Sequence, residues 1–148
     1  MKAFGVNSFV VAALAAIAVA QPAHAQRSSY DGMIASHAAA NGVPAELVHR
    51  VIVRESRYNP RASNKGNYGM MQIRLGTARA LGYTGTAQGL LDPDTNLTYA
   101  VKYLAGAYRT AGGNHAQAVR YYSSGYYYAA KRQRRGAALS AFGQQQGN

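Results

Sequence analysis

Apolar positions along the chain recur mostly at helical spacing. Leu47, Val48, Val51 and Ile52 form one such stripe, opened by Pro44 at a first helical position and carrying Glu46 in its first turn. The pattern runs until Asn59-Pro60, where the residue before proline avoids helical geometry. Residues 28–41 (SSYDGMIASHAAAN) predict an earlier helix, with Ser28, Ser29 or Asp31 able to cap it and Asn41-Gly42 to stop it. Leu97, Ala100, Val101 and Leu104 mark a third helix beginning at Asp92-Pro93-Asp94-Thr95. His115 to Tyr128 predicts a last helix, or a helix with an interrupted end. Between these, Gly69 to Leu81 reads as a short helix, and Arg61–Tyr68 and Gly82–Leu91 as polar loops. There is no internal repeat and no sustained strand alternation. The predicted class is all-α.

The ends differ from the middle. Met1-Lys2, an uncharged apolar run from Phe9 to Ala20, and Ala23-His24-Ala25 have the layout of a secretory signal peptide cut after Ala25. The run is short for a membrane span, which takes roughly 20 apolar residues. Residues 26–130 then form one domain, long enough to bury a core without disulfides, and the chain has no Cys. The chain holds 16 Lys and Arg against 5 Asp and Glu, a net charge of +11, and the predicted cut removes only Lys2. This surplus favours an anionic partner, and export makes nucleic acid the least fitting one. Residues 131–148 start with the basic run Lys131-Arg132-Gln133-Arg134-Arg135 and continue small and polar. They predict a poorly ordered tail, with Lys131, Arg132, Arg134 and Arg135 available as a tether to anionic wall or lipid.

Glu55 is the chemical anomaly. Val48, Val51 or Ile52, and Glu55 share one helix face at spacings of three and four, so a carboxylate sits where a hydrocarbon belongs. Apolar surroundings and a nearby helix C-terminus both raise a carboxyl pKa, as a general acid at neutral pH requires. Arg54 and Arg57 are close enough in sequence for simple pairing instead. The residues around and after it bear on the choice: Glu55-Ser56, Tyr58-Asn59-Pro60, Gly66-Asn67-Tyr68-Gly69-Met70-Met71-Gln72-Ile73, Thr77-Ala78, Asp92-Pro93-Asp94-Thr95-Asn96-Leu97, Tyr103-Leu104 and Tyr122-Ser123-Ser124-Gly125.

In this order, over Val43 to Gly125, the motifs resemble the soluble lytic transglycosylase (SLT) domain family, related in fold to goose-type lysozymes. The resemblance implies a compact lysozyme-like single domain with a substrate groove. Glu55 matches the family's sole catalytic acid/base, and Ser56 the serine that helps position the sugar. Met70, Met71, Gln72 and Ile73 match the motif that lines the groove, Met70 replacing the usual Leu. Tyr122, or its neighbour Tyr121, matches the tyrosine of a third motif, with Ser123 in place of the usual Asn. The resemblance implies cleavage of the MurNAc-GlcNAc bond of peptidoglycan glycan strands with formation of 1,6-anhydro-MurNAc ends.

Acid count bears on the reaction. Hydrolytic glycosidases ordinarily use two carboxylates. Asp31, Glu46, Asp92 and Asp94 each have a local structural explanation, which leaves Glu55 alone. A muramidase of the same fold, recruiting a second carboxylate, is the nearest alternative, and a non-catalytic wall-binding module the next. Tyr126, Tyr127 and Tyr128 suit either sugar stacking or packing. His37, His49 and His115 lack metal-ligand spacing, and His49, off the Glu55 stripe, reads as a surface residue. No metal or cofactor is expected, and the protein is expected to act as a monomer in the periplasm or outside the cell.

Overall fold

A computed structural model describes residues 22–145. Most of the predicted leader and the last three residues of the tail lie outside that range. The chain folds as α1 (Pro22–Asn41), α2 (Ala45–Glu55), β1 (Ser63–Asn64), β2 (Asn67–Tyr68), β3 (Ile73–Arg74), α3 (Leu75–Ala80), a 3-10 turn (Gln88–Leu91), α4 (Pro93–Thr110), α5 (His115–Ser124) and α6 (Tyr127–Gln145). The class is all-α with one small sheet added.

α4 is the central helix and packs against α1, α3, α5 and α6. Asp92 caps it by accepting from the Thr95 amide at 2.8 Å, and Pro93 occupies its first turn. Leu97, Ala100, Val101 and Leu104 are fully buried. From α2, Leu47, Val48, Val51 and Ile52 enter the same core. Each such aliphatic side chain contributes about 1.5–3 kcal/mol by leaving water.

α1 extends six residues upstream of its predicted start, with Pro22 as its first helical residue. Asp31 therefore sits mid-helix instead of capping, 3.6 Å from His49 Nε2. His49 is not a surface residue: it is 7% exposed, and its Nδ1 shares a 2.9 Å hydrogen bond with the Tyr58 hydroxyl. Pro44 stands one position before α2, extended at φ −63°, ψ 132°. α2 stops at Glu55, four residues before Asn59-Pro60. The backbone then turns through two left-handed residues, Arg57 (φ 52°) and Tyr58 (φ 64°). Left-handed geometry away from glycine costs of order 1 kcal/mol or more per residue. Burial of the Tyr58 ring, 2% exposed, offsets it.

The expected loop at 61–68 is an antiparallel hairpin, with Ser63 opposite Tyr68 and Asn64 opposite Asn67. Lys65 (φ 49°) and Gly66 (φ 78°) make its two-residue turn, the geometry that fits strand twist. The helix expected over 69–81 covers only Leu75–Ala80. Gly69 (φ 73°) and Gln72 (φ 51°) are left-handed, which excludes a helix there, and β3 follows, pairing Ile73 with Tyr68.

The predicted helix at 115–128 has the interrupted end: Gly125 (φ 85°) closes α5, and α6 starts at Tyr127. The basic segment expected to be poorly ordered is helical through Gln145. Ala129 is buried, and Gln133 Nε2 donates to the Thr110 carbonyl at 2.8 Å, docking α6 against α4. No helix among the described residues is long and apolar enough to cross a membrane.

Candidate active site

Three segments converge where α2 ends. α2 delivers Glu55, the small sheet delivers Asn67, Gln72, Ile73 and Arg74, and the end of α5 delivers Tyr122, Ser123 and Ser124. With Thr77, Tyr103 and Gly125 they enclose a cavity of about 380 Å³. Glu55 is its only acidic residue.

The Glu55 carboxyl is held above the usual carboxylate range. Burial is the main cause; the Arg54 charge and a hydrogen bond from Ser123 pull the other way. Its place in the last turn of α2, where the helix dipole disfavours an anion, works with burial. Arg54 does pair with it, Nε to Oε1 at 3.7 Å, but the Arg54 side chain is 55% exposed and its charge is largely solvated. The Ser123 hydroxyl reaches Glu55 Oε1 at 3.5 Å and the Val119 carbonyl at 3.1 Å. One hydroxyl proton serves one acceptor at a time. Ser123 can donate to an ionised Glu55, or turn to Val119 and accept from a protonated one. The contact therefore accommodates both forms of the acid.

The surrounding motifs mainly build this arrangement. Ser56 Oγ donates to the Met70 carbonyl at 2.7 Å, tying the end of α2 to the sheet turn rather than facing the cavity. Met70 and Met71 are fully buried and support the groove from beneath without lining it. Gln72 lines it, and its Nε2 donates to the carbonyls of Ala62 and Gly69 at 3.0 and 2.9 Å. Ile73 is 2% exposed at the cavity floor. Of the two tyrosines, Tyr122 lies at the cavity, and its hydroxyl donates to the Met71 carbonyl at 2.8 Å. Tyr121 is not among the lining residues.

Asn96 fastens the far side. Its Nδ2 donates to the Tyr68 and Leu90 carbonyls, both at 2.8 Å, and its Oδ1 accepts from the Met71 amide at 2.9 Å. Gly69 is required beside it, because a Cβ there would overlap the Asn96 side chain and the Leu90 carbonyl. The Asp-Pro-x-x-Asn motif is thus a cap at one end and a three-way staple at the other.

The sequence reading missed Asn67, Arg74, Thr77, Tyr103, Ser124 and Gly125 as cavity residues. Asn67, Thr77, Tyr103, Ser124 and Gly125 lie inside the quoted motifs, so a signal existed. Arg74 lies outside them and reaches the cavity only through its place in β3. The remaining acids are engaged elsewhere: Asp94 with His37 at 2.8 Å, Glu46 with Arg27 at 3.3 Å, Asp92 at its cap and Asp31 near His49. Among the described residues no group of three His, Asp or Glu side chains is arranged to hold a metal ion.

The family model of the transglycosylase SLT domain matches residues 32–141. The chain belongs to this family. It is 38% identical over 102 residues to the peptidoglycan transglycosylase gp16 of Escherichia phage T7, covering 66% of this chain and 8% of that protein. It is 29% identical over 105 residues to the soluble lytic murein transglycosylase of Escherichia coli K12, covering 66% of this chain and 16% of that protein. The chain thus spans under a fifth of the length of these curated relatives. The matched SLT region reaches past the predicted domain end at residue 130 and takes in most of α6.

Proposed function

We propose that this SLT domain cleaves the MurNAc-GlcNAc β-1,4 bond of peptidoglycan by lytic transglycosylation, with Glu55 as the sole acid/base. The observation that carries the reading is a cavity with one carboxyl group, half-shielded from water and raised in pKa. Both relatives are named as transglycosylases, of peptidoglycan in one case and murein in the other. The leader pattern at the N-terminus supports export to the compartment where such a substrate lies.

Protonated Glu55 gives its proton to the glycosidic oxygen as the C1–O bond of the muramoyl sugar breaks. The muramoyl acetamido group assists from within the substrate. Ionised Glu55 then takes the proton from the muramoyl C6 hydroxyl, whose oxygen bonds to C1. The product ends in a 1,6-anhydro ring, and Glu55 regains its proton without water. One group that both gives and takes a proton needs a pKa near ambient pH, which favours a shielded carboxyl over a solvated one. Ser123 suits this cycle because it pairs with either form. Tyr122 and Gln72, both fixed by backbone hydrogen bonds, shape the wall against which the sugar rests.

The test is digestion of purified peptidoglycan by the protein and by Glu55→Gln, with sugar ends identified by mass spectrometry. Anhydro-muramoyl ends that vanish in Glu55→Gln are expected. Reducing muramic acid ends would instead make water the acceptor and the enzyme a muramidase. Wall binding without cleavage would indicate a binding module.

A further inference from the structure

The last helix runs on past its own anchorage. Ala129 is buried and the Gln133 side chain donates to the Thr110 carbonyl, which docks the first turns of α6 on α4. Every residue from Lys131 to Phe142 is exposed, and a helix without a covered face is marginal in water. The side chains it shows are not those of a solvated helix. Tyr128 and Leu139 are 73% exposed and Phe142 is 63% exposed.

Tyr128, Arg132, Arg135, Leu139 and Phe142 follow one another at steps of four, three, four and three. That spacing puts them on one helix face about 80° wide. Lys131 stands at its edge, its ammonium 5.9 Å from the Tyr127 ring centroid. α6 has no Asp or Glu. Among the described residues no ion pair engages Lys131, Arg132, Arg134 or Arg135. The face therefore joins uncovered aromatic and alkyl groups to uncompensated positive charge.

That combination selects the occupant. A second copy of the chain would set Arg132 and Arg135 against the same arginines in the middle of the seam. A wall polymer offers anions but no apolar layer to cover Leu139 and Phe142. An anionic phospholipid surface offers both, phosphates for the guanidinium groups and acyl chains beneath them for the alkyl and aromatic groups. Long arginine stems let the charge stay at headgroup level while the apolar neighbours go deeper. α6 is not apolar enough to cross a bilayer, so it lies in the plane of the surface.

We propose that this face of α6 docks on an anionic phospholipid surface, with Arg132 and Arg135 on headgroup phosphates and Tyr128, Leu139 and Phe142 at the acyl boundary. The inference does not depend on the reaction proposed for Glu55. Because α6 starts two residues after Gly125, docking holds the Glu55 cavity near the lipid.

The experiment is cosedimentation with vesicles of phosphatidylglycerol and phosphatidylethanolamine, with phosphatidylcholine vesicles, and with purified sacculi. Stronger binding to the first vesicles than to the second is expected at low salt. Leu139→Ser with Phe142→Ser is expected to weaken binding to the anionic vesicles by about tenfold or more, since two large side chains no longer enter the apolar layer. Its binding to sacculi and its turnover of soluble strands should not change. All forms carry the same residues 1–25, so differences between them report on α6. The chain has no Trp, so Phe142→Trp adds a single reporter, whose emission should shift to the blue only with the anionic vesicles. Equal binding to the two vesicle types, undiminished binding by the double variant, or no emission shift would overturn the proposal. So would an equal loss on vesicles and sacculi, or a dimer in solution that the double variant dissociates. The transglycosylase reading survives each of these outcomes, because the sugar ends test it separately.

Discussion

Under the proposed mechanism, Glu55 couples activity and stability in opposite directions. Its folded-state pKa is raised, chiefly by burial, so the native protein binds a proton more readily than the unfolded chain does. The associated stabilisation is present below the unfolded carboxyl pKa and is lost as pH rises through the folded value. Once ionised, the group is therefore a liability in the fold. Glu55→Gln is expected to lose about 10²–10⁴-fold in activity, the span of general acid–base catalysis, while melting at the same temperature or higher at pH 7.5. The gain should shrink as pH falls, because the native acid becomes neutral too. A lower melting temperature at every pH would show that Glu55 is held by favourable pairing instead. The same logic sets the pH dependence of kcat/KM. In the proposed cycle the free enzyme carries protonated Glu55, so activity is expected to fall above its pKa. A second ionised carboxylate would add an acidic limb, and the composition of the cavity supplies none.

Asn96 illustrates how a motif residue can serve a site without entering it. Its amide satisfies three backbone groups at the sheet turn and the 3-10 turn, all in low-dielectric surroundings. Asn96→Ala orphans those groups and is expected to cost about 3 kcal/mol or more, at roughly 1–3 kcal/mol for each buried unsatisfied group. Asn96→Asp should be no better, since a carboxylate cannot donate to the Tyr68 and Leu90 carbonyls. Urea unfolding of the two variants measures this directly, and a loss under 1 kcal/mol in either would remove the staple from the account of the turn.

At the scale of elements, the junction between α1, α2 and the turn after Glu55 is held by Asp31, His49 and Tyr58. The His49 pKa is lowered by burial first and by the Arg27 charge second, against the pull of Asp31 and Glu46. A lowered histidine contributes stability that is present above its unfolded pKa, about 6.5, and is lost as pH falls from there through the lower folded value. His49→Gln is expected to be less stable than the unaltered protein at pH 7.5, by about 1–2 kcal/mol for the lost packing and hydrogen bond. The deficit should narrow between pH 7 and pH 5, since only the unaltered protein must protonate an imidazole on unfolding. A constant deficit across that interval would mean that His49 is not held neutral. Thermal melts at stepped pH give the comparison, with Glu55 common to both proteins.

The same junction explains which elements were legible in the sequence. α2 and α4 were visible because each buries one stripe at helical spacing, and Asp92-Pro93 announces its own start. The hairpin was not, since its strands are two residues each, too short for alternation to register. Its turn signal, Lys65-Gly66 between two asparagines, was absorbed into a polar loop. The helix expected over Gly69 to Leu81 begins only at Leu75, after the buried Met70, Met71 and Ile73. They are apolar because three segments bury them, and Gly69 and Gln72 turn the chain left-handed between them. His49 was misplaced because its partners come from α1 and from a turn four residues earlier than expected. Glu55 and Tyr122, from two local motifs, do line one cavity, whereas Arg74 needs the sheet to bring it in.

At the scale of the whole molecule, the exposed charge of α6 lies apart from the Glu55 cavity. The chain carries +11, and α6 presents Arg132 and Arg135 to solvent. Lys131 stacks its ammonium 5.9 Å from the Tyr127 ring centroid, which places a further cation along the rim. An anionic wall or lipid surface would draw the molecule through such exposed charges, and salt would screen the attraction within about 10 Å at 0.1 M. Arg132→Ser with Arg135→Ser is expected to weaken binding to purified sacculi by up to about tenfold or somewhat more at low ionic strength. Two exposed charges at no more than about 1 kcal/mol each allow that much. The difference should disappear near 0.5 M salt. Turnover of short soluble strands should not change, because neither arginine lines the groove. If the double variant instead lost turnover on soluble strands, α6 would act through its fold and not its field. If binding were unchanged at low salt, the attraction would have to come from the basic residues of the catalytic domain itself.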